Sequence, residues 1–301
     1  MHHDESFTLA GGRRLAWCRY GDAGGSPLYV FHGFPGSRLQ AAILHEPARR
    51  AGISLVAPDR PGFGRSAFDA RRTVLSWADD VAQLADHLGH RRFGVLGISC
   101  GGAYALACAH RMPKRLDYVG LLAGMGPMDL PAIRRDQLPV LTAMFALART
   151  APMLAAPLLI ADLLLFRGSA ERAVRVLASM LSPPDRRALA ADAGIAAAFG
   201  ASLAEAYAGG LRGALREAHL IGRERGFALR DITVPVHVYQ GGHDRHVPPA
   251  MGRHIADTVP NGRLRWYPDE GHLSIVIRAI DDVLTDLAAA RSPRHAEPTP
   301  A

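Results

Sequence analysis

The stretch Val95-Leu96-Gly97-Ile98-Ser99-Cys100-Gly101-Gly102, VLGISCGG, sets a hydroxyl and a thiol side by side among glycines. It closes the apolar run FGVLG (93–97) and leads straight into SCGGAYALACAHRM, whose alanine-rich text reads as a helix. Gly-x-Ser-x-Gly between a strand and a helix has a steric logic. The turn is so tight that only small residues fit two positions before and after its apex. Ser99 is then left at the strand end with strained backbone angles and an exposed hydroxyl. The small residues that follow, Gly102, Ala103, Ala105 and Ala107, suit a helix packed closely on neighbouring strands.

Working outward, short apolar runs recur on both sides of this turn. They are LYVFH (28–32), SLVAP (54–58), YVGLLAG (118–124), VPVHVYQG (234–241) and RLRWYP (263–268), preceded by a hairpin pattern at 7–19 around Gly11-Gly12. Continuous rather than alternating apolarity predicts strands buried on both faces of a parallel sheet. Helical patterns lie between them. Residues 76–88 align Trp77, Val81, Leu84 and Leu88, with Ser76 and Asp79 as a capping box and Gly89 as the stop. A last helix over about 274–289 aligns Val276, Ile280, Val283 and Leu287. The fold class is therefore α/β: a mostly parallel central sheet flanked by helices.

The alternation fails between about Pro127 and Arg230, where only alanine- and leucine-rich helical text appears. The expected organisation is a first core part at 1–126, a helical cap inserted at 127–230, a second core part at 231–290, and a disordered proline-rich tail at 291–301.

Bulk composition narrows the function. A chain of 301 residues with 49% apolar and 21% charged residues suits a globular enzyme with a large core. All but one of its 35 basic residues are arginine, and they are scattered as pairs such as Arg13-Arg14 and Arg186-Arg187. The net charge of +7 thus reads as a solvated surface, and no nucleic-acid partner is expected. Three cysteines without metal-ligand spacing predict neither a disulfide framework nor a metal site. The longest apolar segment, Leu138 to Phe166, is interrupted by Arg149, Pro152, Pro157 and Asp162. That leaves too little for the ~20 residues of a bilayer span, so no stable membrane insertion is expected. MHHDESF at the start has no basic or apolar signal region, and the reading places the protein in the cytoplasm. A homo-oligomer is left open.

Together with the elbow, four further segments make the chain resemble the α/β-hydrolase family, over nearly all of its length outside the insertion. His32-Gly33-Phe34-Pro35-Gly36 follows LYVF, where the family forms half of its oxyanion hole. The resemblance implies backbone N–H groups of Phe34 and Cys100 as the two donors, each worth about 3 kcal/mol in the transition state. Asp59-Arg60-Pro61-Gly62-Phe63-Gly64-Arg65-Ser66 is similar to the loop after the next strand, read here as a structural turn around a satisfied Asp59. Gly242-His243-Asp244-Arg245-His246 resembles the family's acid loop, and Asp269-Glu270-Gly271-His272 its histidine loop. The implied triad is Ser99, Asp244 and His272, with Asp129 as the alternative acid. His243 and His246 read as polar groups of the acid loop, and His32 as a hydrogen-bonding scaffold. Cys100 lies one residue past the apex, so its thiol reads as a packing group.

A serine apex points to acyl transfer on a small, apolar carbonyl compound, with carboxylic ester hydrolysis the least demanding form. On the same triad the alternatives are carbon–carbon bond hydrolysis, perhydrolase chemistry, or a prolyl-type aminopeptidase using a cap carboxylate such as Glu205. A non-catalytic ligand receptor of the same fold is the reading from a different class. No phosphate loop or dinucleotide fingerprint accompanies the triad, and no cofactor is expected.

Overall fold

The computed structural model describes residues 3–168, 174–175, 178, 180–223 and 226–291. Eight strands form one sheet: β1 (His3–Thr8), β2 (Arg14–Gly21), β3 (Ser26–Phe31), β4 (Ile53–Pro58), β5 (Phe93–Ile98), β6 (Leu116–Leu122), β7 (Val236–Gly241) and β8 (Gly262–Tyr267). Their order is β1-β2-β4-β3-β5-β6-β7-β8. The β1–β2 and β2–β4 pairs are antiparallel, and β4, β3 and β5 through β8 run parallel.

The helices are α1 (His45–Arg50), α2 (Trp77–His87), α3 (Gly101–Arg111), α4 (Pro139–Thr150), α5 (Ala156–Gly168), α6 (Pro183–Ala191), α7 (Ala193–Ala206), α8 (Arg212–Ile221), α9 (Pro249–Thr258), α10 (Ser274–Arg278) and α11 (Ile280–Arg291). Between β6 and β7 the described residues contain helices and no strand.

Each central strand is mostly apolar because it feeds two cores. Tyr29, Phe31, Val95, Val119 and Val238 pack with α2, α3 and α9 on one face. Leu28, Val30, Leu96, Leu122 and Tyr239 pack with α1, α10 and α11 on the other. The last strand departs from that rule. β8 pairs with β7 alone, and Leu264 and Trp266 are each 38% exposed, as an edge position allows.

Two local readings need correction. The helix expected at 76–88 begins without a capping box: Ser76 Oγ instead accepts from the Thr73 N–H and donates to the Thr73 carbonyl. Its stop is as expected, with Gly89 at φ 73 and the His90 N–H donating to the Ala85 carbonyl in a Schellman closure. The final helix is two, α10 and α11, divided at Ala279, although Val276, Ile280, Val283 and Leu287 are all buried as the pattern required. The expected tail lies, apart from Arg291, outside the described residues. Among the described residues no single helix is long and apolar enough to cross a membrane.

Candidate active site

Ser99 terminates β5 at φ 54, one of two non-glycine residues with positive φ in the chain as described. The turn is held from both sides. Its N–H donates to the Leu122 carbonyl, and its carbonyl accepts from the Gly102 and Met125 N–H groups. A Cβ on Gly97 would lie 2.4 Å from the Gly101 carbonyl oxygen, and one on Gly101 would lie 2.1 Å from that of Phe31. Backbone contact, rather than turn preference alone, therefore demands both glycines. α3 starts at once, so its N-terminal N–H groups and the positive end of its dipole meet the serine.

Asp244 and His272 come together from the loops after β7 and β8. The His272 Nδ1 and Asp244 Oδ2 atoms are 2.8 Å apart, and Asp244 is 1% exposed. The other carboxylate oxygen accepts from the N–H groups of His246 and Val247. With Nδ1 committed to Asp244, the Nε2 edge of His272 is the one left for the cavity, whose wall it shares with Ser99. Burial by itself would lower the proton affinity of His272. The Asp244 carboxylate, and behind it Asp185, outweighs burial, and the net shift is upward. Asp129 is exposed on the turn after β6 and has no part in this arrangement.

Phe34 and Cys100 line the same cavity beside Ser99. The Phe34 N–H has no acceptor among the described residues. The Cys100 thiol lies 3.6 Å from Met125 Sδ, buried, as a packing group. His32 is buried and bonded to the Gly33 carbonyl through Nδ1, while its Nε2 accepts from the Arg60 N–H, so it is scaffold. Asp59 is satisfied as expected, by the Arg38 and Arg65 N–H groups and the Arg38 guanidinium. Its chief partner, however, comes from the neighbouring loop. His243 is exposed. His246 is more than a loop group: its ring stacks on His272 with centroids 4.8 Å apart, and it lines the cavity. Burial, assisted by His272, lowers it to about 4, keeping it neutral at ordinary pH.

Two buried clusters escaped the sequence reading. Asp185, in the first turn of α6, receives the N–H groups of His272 (3.1 Å), Leu273 and Ser274 (both 2.8 Å), and the Ser182 hydroxyl. Burial opposes its ionisation, but the donated hydrogen bonds and His272 hold its carboxyl below the ordinary value. An inserted helix thereby grips the histidine loop. Glu217 of α8 is fully buried between Arg60, at 2.9 Å, and Arg72, at 2.7 Å, and accepts from the Tyr104 hydroxyl. Arg60 also donates to the carbonyls of His32 and Gly33, so the loop carrying Phe34 is braced by the insertion. Neither cluster leaves a sequence signal: Asp185 precedes Arg186-Arg187 and Glu217 follows Arg216, so each looks like an ordinary solvated charge.

The cavity itself holds about 320 Å³ between the strand ends and the inserted helices. Its wall is mainly apolar, with Leu141, Phe145, Leu158, Leu165 and Phe199 facing the serine loop. Among the described residues no three histidine, cysteine or acidic side chains gather as a metal set would.

A mostly parallel sheet with a strained serine between β5 and α3, and an Asp–His pair delivered after β7 and β8, defines an α/β protein built around a tight strand–serine–helix turn. The profile of the alpha/beta hydrolase fold family matches residues 26–279. The chain belongs to that family. Over 130 residues it is 30% identical to Lipase 1 of Psychrobacter immobilis, covering 40% of this chain and 39% of the relative. Over 117 residues it is 38% identical to the dihydrolipoyllysine-residue acetyltransferase component of an acetoin cleaving system from Pseudomonas putida, covering 38% of this chain and 31% of the relative. The chain thus spans about a third of the length of these curated relatives. Among solved structures, an alpha/beta hydrolase fold protein from Nakamurella multipartita superposes with a TM-score of 0.71 at 21% identity, covering 96% of this chain and 98% of the other. An esterase from Rhodococcus sp. gives 0.66 at 18% identity, covering 95% and 99%.

Proposed function

We propose that the protein is a serine hydrolase that cleaves carboxylic esters of small, apolar acyl compounds through an acyl-enzyme. Ser99 Oγ attacks the carbonyl carbon while His272 Nε2 takes the hydroxyl proton. Asp244 holds the ring in the required tautomer and offsets the imidazolium charge. The carbonyl oxygen becomes an oxyanion facing the N–H groups of Phe34 and Cys100, at the positive end of α3. Collapse of the intermediate expels the alcohol, which takes the proton from His272, and leaves the acyl group on Ser99. Water then repeats the sequence and releases the acid. The inserted helices serve as a cap that closes the apolar cavity over the serine.

The observation that carries this reading is the 2.8 Å His272–Asp244 bond on a cavity wall shared with a serine held at φ 54. The lipase and esterase names among the relatives point the same way. A fluorophosphonate probe tests it directly, followed by a panel of nitrophenyl esters of increasing chain length. Covalent labelling of Ser99 and turnover of short and medium esters are expected. An unlabelled Ser99 overturns the proposal, and labelling without ester turnover excludes the ester as substrate.

A further inference from the structure

Among the described residues the cavity wall contains one acidic side chain, and its position runs against ordinary helix patterning. Between Ala156 and Phe166 of α5 the sole polar residue is Asp162. Leu158, Ala161 and Leu165, at four before, one before and three after, line the cavity with it. Ile160 and Leu164, two residues to either side, point away and are 41% and 69% exposed. A helix sorted by burial alone would put its leucines inside and its carboxylate outside.

The environment of Asp162 offers little compensation. Burial raises its carboxyl to about 6, with the neighbouring Tyr207 hydroxyl as the one opposing influence among the described residues. Tyr207 is itself buried and stacks against Phe166, so it cannot carry the charge into solvent. Among the described residues no guanidinium, ammonium or imidazole pairs with Asp162. The rest of the structure treats its inward acids differently. Asp59 lies 2.9 Å from Arg38, Glu217 lies between two arginines, and Asp185 receives three backbone N–H groups. Glu205, the cap carboxylate singled out in the sequence as an amine anchor, is also taken: it pairs with Arg38 at 2.8 Å and Arg65 at 3.4 Å.

A half-buried carboxylate on an apolar wall, with no cation beside it among the described residues, is costly to ionise, and a cation carried in by a ligand recovers part of the cost. We propose that Asp162 anchors a protonated amine, so that the cavity selects, in place of a wholly apolar acyl compound, one whose apolar chain carries a single ammonium group at the end away from the carbonyl. The apolar wall then packs the methylene chain between the two ends. This assignment of substrate class rests on the reading that Ser99 attacks a carbonyl in the same cavity. The chemistry at Ser99 is unaltered, since Asp162 acts in binding alone.

The test is titration calorimetry of the purified protein at neutral pH with two probes of matched length, hexylamine and hexanol. Neither probe is hydrolysed, so the result does not depend on the identity of the nucleophile. Hexylamine is expected to bind the wild-type protein at least about tenfold more tightly than hexanol, and Asp162→Asn is expected to abolish that preference. Asp162→Glu, which keeps the charge, is expected to retain an amine preference. Equal affinities in the wild-type protein, or a preference that survives Asp162→Asn, would overturn the proposal. Amine binding with an unlabelled Ser99 would uphold the anchor and discard the hydrolase reading. Ester turnover without amine preference would do the reverse.

Discussion

The loops that carry Ser99, Asp244 and His272 and the inserted helices that face them are held by different forces. In the loops, backbone touches backbone. Ser99 has three main-chain hydrogen bonds about its turn, and the glycines on either side have no room for a methyl group. In the insertion, α4 and α5 are held by apolar side chains over a cavity, with Met153 and Leu154 left 72% and 62% exposed beside them. Sterics of the first kind admit one residue type per position. Apolar packing of the second kind admits many, provided volume is kept. The two regions meet at a few buried polar clasps, with Asp185 and Glu217 reaching from the helices to the loops.

The contrast can be tested by how steeply substitutions act in each region. Ser99→Ala is expected to lower kcat on the order of 10⁵-fold, as loss of the nucleophile does in other serine triads, read from nitrophenyl ester turnover. Cys100→Ala is expected to cost less than about tenfold by the same assay, since its side chain only packs. Asp244→Asn is expected to lower kcat on the order of 10⁴-fold with little change in KM, because the histidine loses its tautomer control. Asn at the exposed position 129 is expected to change it less than about twofold, and a larger loss there would return Asp129 to candidacy.

Asp185→Asn tests the clasp, and its expected loss is on the order of tenfold in kcat from misplacement of the base. Its diagnostic is the pH profile. On the proposed mechanism His272 must be neutral to accept the serine proton, so activity is expected to fall as pH drops through its pKa, which lies above the ordinary histidine value. Removing the Asp185 charge lowers that pKa, and the acid limb moves to lower pH. A purely structural role for Asp185 would leave the limb in place. Stability follows its own sign: because the Asp185 carboxyl is held below its ordinary value, its contribution is present at neutral pH and is lost as pH falls below about 4. Asp185→Asn should flatten the wild-type acid dependence of the melting temperature. The smallest effect is expected at Leu164, 69% exposed on α5: Leu164→Gln should shift stability by no more than about 0.5 kcal/mol and leave ester turnover unchanged.

How much could be read without coordinates follows the same division. The parallel strands β3 to β7 were legible because burial on both faces leaves a mostly apolar run between glycine-rich loops. The exposed surface of β8 was missed although Arg263 and Arg265 alternate with Leu264 and Trp266, a pattern that suits a partly solvated edge strand. The box predicted at Ser76 failed because the Ser76 hydroxyl had a nearer partner in Thr73. At the site, the order of the loops pointed to Ser99, Asp244 and His272, and the structure brings Asp244 against His272 on the cavity wall that Ser99 shares. His246, Asp185 and Glu217 were not legible, because each acts through a contact whose partner is distant in the chain, 88 residues away for Asp185 and Leu273.

The sequence by itself determined the α/β sheet, the elbow at Ser99 and the order of the three loops, because steric exclusion and two-sided burial leave marks at single positions. Only the tertiary structure decided which of the described acids meet a charged or backbone partner and which does not. Asp59, Glu205 and Glu217 find arginines and Asp185 finds backbone donors, whereas Asp162 faces the cavity with a tyrosine hydroxyl beside it. A carboxylate is the same letter in each setting, and its free energy is set by the charges and donors that folding brings within a few ångströms.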